Sequence, residues 1–150
     1  MTEYISNSYE KTLLIATDFA KTLSGGTTIA FIGDLGAGKT AFATGFVKGL
    51  GIEAEVSSPT FAVCNVYRGD GFCVYHYDMY RINGWDDLYS IGFLEGFGEK
   101  DFALIEWSEN VFNALDDKTV FVAIEKLGEN ERRISIMNKN EAEIKLGIID

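Results

Sequence analysis

Thr27-Thr28-Ile29-Ala30-Phe31-Ile32 runs straight into Gly33-Asp34-Leu35-Gly36-Ala37-Gly38-Lys39-Thr40, and the chain continues Ala41-Phe42-Ala43 as far as Leu50. The first six residues are β-branched and apolar with no helical period, which reads as a buried strand. Lys39 to Leu50 carries good helix formers and stops at Gly49 and Gly51, a helix end. Between them Gly33, Gly36 and Gly38 punctuate a loop. Binding a phosphate requires several backbone N–H groups to converge on one anion, and glycine lets the chain curl tightly enough for that. Strand, glycine loop and helix together predict a phosphate-binding P-loop formed by Asp34, Leu35, Gly36, Ala37, Gly38, Lys39, Thr40 and Ala41. The helix points its partial positive end at the same spot, Lys39 can reach the β and γ phosphates, and the Thr40 hydroxyl can ligate Mg²⁺.

A magnesium ion needs an acid nearby, directly or through water. Phe102-Ala103-Leu104-Ile105-Glu106 places one at the end of a second buried strand, where a carboxylate can hold the metal or orient an attacking water. His76-Tyr77-Asp78-Met79-Tyr80-Arg81 is the other informative run. In an extended segment His76, Asp78 and Tyr80 share a face, so Asp78 can approach the nucleotide while Tyr77 and Met79 pack inside. The sole histidine, at a strand end, reads as structural. Ser57-Ser58-Pro59-Thr60 is a polar turn, and Thr60 is a candidate switch residue sensing the γ-phosphate.

The remaining chain supplies the frame. Asn7 and Glu10 offer a capping box for a helix carrying Leu13, Ala16, Ala20 and Leu23. Phe61 to Tyr67 and Phe72 to Tyr77 flank Arg68-Gly69-Asp70-Gly71, a hairpin signal. Asn83 can cap a helix over Trp85 to Phe97 that Gly98 closes. Lys118 to Lys126 and Arg132 to Met137 look like a second antiparallel pair, and Asn140 to Asp150 shows no clear pattern. The order implies a three-layer α/β P-loop nucleotide hydrolase fold, whose mixed sheet is parallel near the nucleotide and antiparallel where hairpins extend it.

Composition bounds the function. A chain of 150 residues with 47% hydrophobic content is the size of one domain, 1–150, and needs neither disulfides nor a structural metal for its core. No apolar run is long enough to span a membrane and the first ten residues lack the order of a signal peptide, so a cytoplasmic location is expected. Cys64 and Cys73 sit in apolar runs, as buried reduced thiols do. The net charge of −10 opposes direct, tight binding to a nucleic-acid backbone.

With these residues assembled, the chain resembles the bacterial TsaE (YjeE) family. The likeness rests on Gly33 to Thr40, on Ser58-Pro59-Thr60-Phe61, on His76 to Arg81 and on Ile105-Glu106-Trp107, in the family's order and spacing. The resemblance implies the ATPase component of tRNA threonylcarbamoyladenosine modification, using ATP, with ADP as product, and Mg²⁺. It implies partners resembling TsaB and TsaD, with tRNA met only through that complex. By position, Lys39 would contact phosphate, Thr40 and Glu106 would hold Mg²⁺, Asp78 would support hydrolysis and Thr60 would belong to a switch. Trp107 would matter without an assigned chemical step. Two departures are visible: Ala41 stands where members often carry a second hydroxyl residue, and Ser108 replaces the family's proline.

Two other readings share the glycine loop. A small-molecule kinase usually brings several arginines over the phosphates from a lid, and Arg68, Arg81, Arg132 and Arg133 lie in no such insertion. A GTPase switch is suggested by Asn138-Lys139-Asn140-Glu141, but guanine recognition of that kind needs Asp at the fourth place.

Overall fold

Strand β2 (Thr28–Ile32) lies at the middle of a seven-stranded sheet and is buried on both faces, which is why it reads as an unbroken apolar run. Ile29 and Phe31 point into one core, Ala30 and Ile32 into the other. The computed structural model describes residues 1–33, 37–59, 63–93 and 97–147. The other strands are β1 (Thr2–Ser6), β3 (Cys64–Arg68), β4 (Cys73–Asp78), β5 (Phe102–Glu106), β6 (Val120–Lys126) and β7 (Arg132–Met137), in the spatial order β1-β7-β6-β2-β5-β4-β3. β6, β2, β5 and β4 are parallel, while β1 and β7 on one side and β3 on the other pair antiparallel.

Helices cover both faces. α1 (Tyr9–Ala20) and α2 (Lys39–Gly49) bury Ile15, Ala16, Ala20, Phe42, Ala43, Phe46 and Val47 against one face. The two helices approach closely because Gly45 and Gly49 face α1: a Cβ at Gly45 would stand 2.5 Å from the Leu13 carbonyl oxygen, and one at Gly49 2.5 Å from that of Thr17. On the opposite face, α3 (Trp85–Ser90), a kinked 3-10 segment (Ser108–Ala114) and α4 (Lys139–Leu146) bury Leu88, Val111, Phe112 and Ala142.

Several local expectations shift. Ser8, rather than Asn7, caps α1, its hydroxyl accepting from the Lys11 amide at 3.0 Å. α3 is six residues long and follows Gly84, so the expected Trp85 to Phe97 helix is cut short; residues 94–96 lie outside the described residues. Cys64 and Cys73 are half-buried rather than buried. Asn138 to Glu141 starts α4 as a capping box: the Asn138 side chain accepts from the Glu141 amide at 2.9 Å, and the Glu141 carboxylate accepts from the Asn138 amide at 3.1 Å. That geometry accounts for the sequence without guanine recognition.

Candidate functional site

The parallel strands bring their carboxyl ends to one edge of the sheet, where an open α/β sheet forms its crevice. Gly33 follows β2, Asp78 ends β4 and Glu106 ends β5, with Asp78 directly opposite Glu106 in the ladder. Paired residues of parallel neighbours point to the same face. Here that is the face covered by α2, because Val74 and Leu104, which precede Asp78 and Glu106 at even spacing, both lie in the α1/α2 core.

Gly33 and Gly38 frame the loop. Gly33 has φ 155°, and a Cβ there would stand 2.6 Å from the Ile124 carbonyl oxygen; Gly38 has φ 112° and caps α2 with no side chain of its own. Both positions need glycine. Uncapped amides at the start of α2 are the ready-made anion site of a helix N-terminus. Lys39 is buried, its Nζ donating to the Gly33 carbonyl at 3.1 Å, and Thr40 is exposed on the first turn of α2. Ala37 is buried and Ala41 half-buried. Asp34, Leu35, Gly36 and Thr60 lie outside the described residues.

Glu106 is the focus of a buried polar network. Its Oε2 accepts from the Ser58 hydroxyl at 3.0 Å and lies 2.6 Å from His76 Nε2. His76 Nδ1 meets the Tyr67 hydroxyl at 3.0 Å, and that hydroxyl donates to the Ser57 carbonyl at 3.0 Å. Burial pushes the Glu106 carboxyl up. The hydrogen bond and charge of His76, the Ser58 hydroxyl and the charge of Lys39 outweigh it and hold the group below its ordinary range. Both contacts fall on Oε2, so Oε1 has no hydrogen-bond partner among the described residues.

Trp107, at φ 58° and ψ 42°, is the one non-glycine residue with positive φ among the described residues. Such a conformation costs on the order of 1–3 kcal/mol and persists only where neighbours impose it. Buried Ser108 imposes it from one side, its hydroxyl donating to the Phe31 carbonyl at 2.9 Å, a tie that the family's proline could not make. Asn110 imposes it from the other, donating to the carbonyls of Met79 at 2.9 Å and Tyr80 at 3.1 Å. The turn lays the indole against Lys39, whose Nζ is 5.1 Å from the ring centroid.

The structure thus gathers Lys39, Glu106 and Trp107, with Asp78 beside Glu106. Asp78 Oδ1 accepts from the Tyr80 amide at 2.9 Å, and Tyr77 and Met79 pack inside as expected. Tyr80 is a correction: the strand ends at Asp78, the chain turns, and the exposed Tyr80 ring packs tilted against Trp107, centroids 4.9 Å apart, instead of sharing a strand face with His76. His76 is the main residue that sequence reasoning undervalued. Its place two residues before Asp78 was the available signal, because it sets both on the Glu106 face. Arg132, which donates from Nε to the Ala37 carbonyl at 2.9 Å, had no local signal at all.

The residues present fit a magnesium–phosphate pair. Among the described residues no three His, Cys, Asp or Glu side chains form a metal cluster. No helix among the described residues is long and apolar enough to cross a membrane.

Residues 6–134 match the family described as threonylcarbamoyl adenosine biosynthesis protein TsaE. The tRNA threonylcarbamoyladenosine biosynthesis protein TsaE of Rickettsia felis is 36% identical over 142 residues, spanning 93% of this chain and 82% of that protein. Its counterpart of the same name in Bacillus subtilis is 36% identical over 126 residues, spanning 84% and 78%. The crystal structure of YdiB from Bacillus subtilis superposes with a TM-score of 0.74 at 30% identity, covering 97% of this chain and 91% of that one.

Proposed function

This chain belongs to the TsaE family, and on that premise we propose that it is the Mg²⁺-dependent ATPase of tRNA threonylcarbamoyladenosine formation. The observation that carries this reading is buried Lys39, bonded to the Gly33 carbonyl, whose charge acts on the carboxylate of Glu106, with Glu106 Oε1 unbonded among the described residues. Lys39 would exchange its bond to the Gly33 carbonyl for phosphate oxygens, and the amides at the start of α2 would complete the cradle. Thr40 and Glu106 would hold Mg²⁺, which when bound supplies charge neutralisation across the β and γ phosphates. Asp78, beside Glu106 in the ladder, would support hydrolysis by accepting a hydrogen bond from the attacking water.

Arg133 bonds Glu125, Arg68 lies against the Cys73 thiol, and Arg132 bonds the Ala37 carbonyl of the loop itself. Compensation of charge on the γ-phosphate would be supplied by a partner, which favours slow turnover alone and stimulation by proteins resembling TsaB and TsaD. With a net charge of −10 the chain would meet tRNA through those partners. Equilibrium titration with a fluorescent ATP analogue tests the reading. Mg²⁺-dependent binding by wild type that Lys39→Ala loses and excess GTP does not displace supports it; binding unaffected by Lys39→Ala overturns it.

A further inference from the structure

We propose that Arg132 is a positioning residue for nucleotide binding: from the β6–β7 hairpin it holds the Ala37 carbonyl outward and so aims the Gly38 amide at the phosphate. The inference rests on the ATP reading above and concerns a side chain far from the glycine loop in sequence.

Arg132 opens β7 and is half-buried. The two N–H groups of its Nη1 are shared among three carbonyls of its own turn, those of Gly128 at 2.9 Å, Glu129 at 3.2 Å and Glu131 at 3.0 Å. The guanidinium plane is thereby fixed, and its remaining fork delivers Nε to the Ala37 carbonyl at 2.9 Å. A trans peptide is planar, with its C=O and N–H pointing in opposite directions. The peptide that joins Ala37 to Gly38 is trans, so a carbonyl held toward Arg132 turns the Gly38 N–H to the other side, away from the guanidinium. Gly38 is the cap of α2, and its φ of 112° lets the peptide take this orientation. The same hairpin also closes the floor, since Cβ atoms at Gly33 and Gly38 would meet Ile124 at 2.6 Å and 3.9 Å. A lysine could reach one carbonyl, but it lacks the planar fork that bonds the turn and Ala37 together.

Neighbouring Arg133 separates loop positioning from hairpin stability, because it bonds Glu125 across the same hairpin at 3.2 Å and has no bond to the described residues of the loop. The test measures the ATP dissociation constant and the nucleotide-free melting midpoint of wild type, Arg132→Ala, Arg132→Lys, Arg133→Ala and Lys39→Ala. Arg132→Ala is expected to weaken ATP about tenfold, with Arg132→Lys between it and wild type, as loss of one charge-assisted hydrogen bond implies. Its midpoint should stay close to that of Arg133→Ala, which binds ATP like wild type. Arg132→Ala binding ATP as tightly as Arg133→Ala overturns the proposal. If Arg132→Ala does not fold, Arg132→Lys decides: intermediate affinity supports the proposal and wild-type affinity overturns it. ATP binding that Lys39→Ala leaves intact overturns the nucleotide reading itself, and with it this one.

Discussion

The Lys39 ammonium stands 5.1 Å from the centroid of the Trp107 ring while donating to the Gly33 carbonyl at 3.1 Å. A buried ammonium needs partners, and a carbonyl with an aromatic face provides them at a strength of about 0.5–2 kcal/mol for the cation–π part. On the proposed function this is a holding arrangement that a phosphate, with full negative charge, would displace. Trp107 thereby acquires a physical role: its strained turn after Glu106 keeps the ring where Lys39 rests.

Trp107 should therefore report nucleotide binding. Trp85 and Trp107 are the only tryptophans, so Trp85→Phe leaves a single fluorophore. Its emission should change on addition of ATP with Mg²⁺ and saturate with bound nucleotide, and Lys39→Met should abolish the response. A silent Trp107 during saturable ATP binding contradicts the arrangement.

His76 should matter to stability as well as to turnover. Removing it leaves buried Glu106 without the partner at 2.6 Å and Tyr67 without the one at 3.0 Å. His76→Ala should cost about 1–3 kcal/mol in urea denaturation, because two buried hydrogen bonds are lost, one of them to a charged group, while Ser58 and Ser57 still bond Glu106 and Tyr67. A loss below about 0.5 kcal/mol, within the range of ordinary surface substitutions, would show that the network adds nothing.

Acid sensitivity should follow from Glu106. Its carboxyl titrates below its ordinary value of 4.5 in the folded chain, against the pull of burial, because of His76, Ser58 and Lys39. As pH falls the unfolded chain takes up this proton first. The stabilisation is therefore complete above the ordinary value and is lost as pH falls through the lower, folded one. Urea denaturation between pH 7 and pH 3 should show a shallower acid decline in Glu106→Gln than in wild type; parallel profiles would contradict the assignment.

Gly45→Ala tests the packing beneath the loop. Alanine normally improves a helix interior by about 0.5–1 kcal/mol over glycine. Here the new Cβ would lie 2.5 Å from the Leu13 carbonyl oxygen and 2.9 Å from the Ala16 Cβ, and such overpacking costs about 1–3 kcal/mol. The clash should win, lowering the melting midpoint; an unchanged or higher midpoint would mean that α1 shifts freely.

What the sequence disclosed and what it hid divides along physical lines. The strand Thr28–Ile32 and the helix Lys39–Gly49 are legible because an apolar run, a following glycine and a helix stop are local signals that agree, and the place of Glu106 because a buried strand ends on an acid. β1 was not: Thr2 to Glu3, Tyr4 and Ile5 are exposed, and only the ladder to β7 makes them a strand. α4 buries a single residue, Ala142, so it has no apolar stripe to read, and its capping box resembled a nucleotide motif instead. The pairings Lys39 with Trp107, His76 with Glu106 and Arg132 with Ala37 join distant segments through the parallel register and the β6–β7 hairpin. No local pattern encodes such contacts. Sequence alternation set His76 on the Asp78 face, yet only the ladder shows Glu106 waiting there.

Steady-state phosphate release from ATP and Mg²⁺ tests the central claim most directly, measured for wild type and Glu106→Gln, each alone and with the TsaB- and TsaD-like partners. Glutamine keeps the size of the side chain but loses the negative charge that would face the cation. Wild type should release phosphate slowly alone and much faster with partners, while Glu106→Gln, still binding ATP, should show a loss of about a hundredfold or more in the stimulated rate, as removal of a group stabilising developing charge implies. Stimulated phosphate release by Glu106→Gln at the wild-type rate would contradict the placement of catalysis at the ends of β4 and β5.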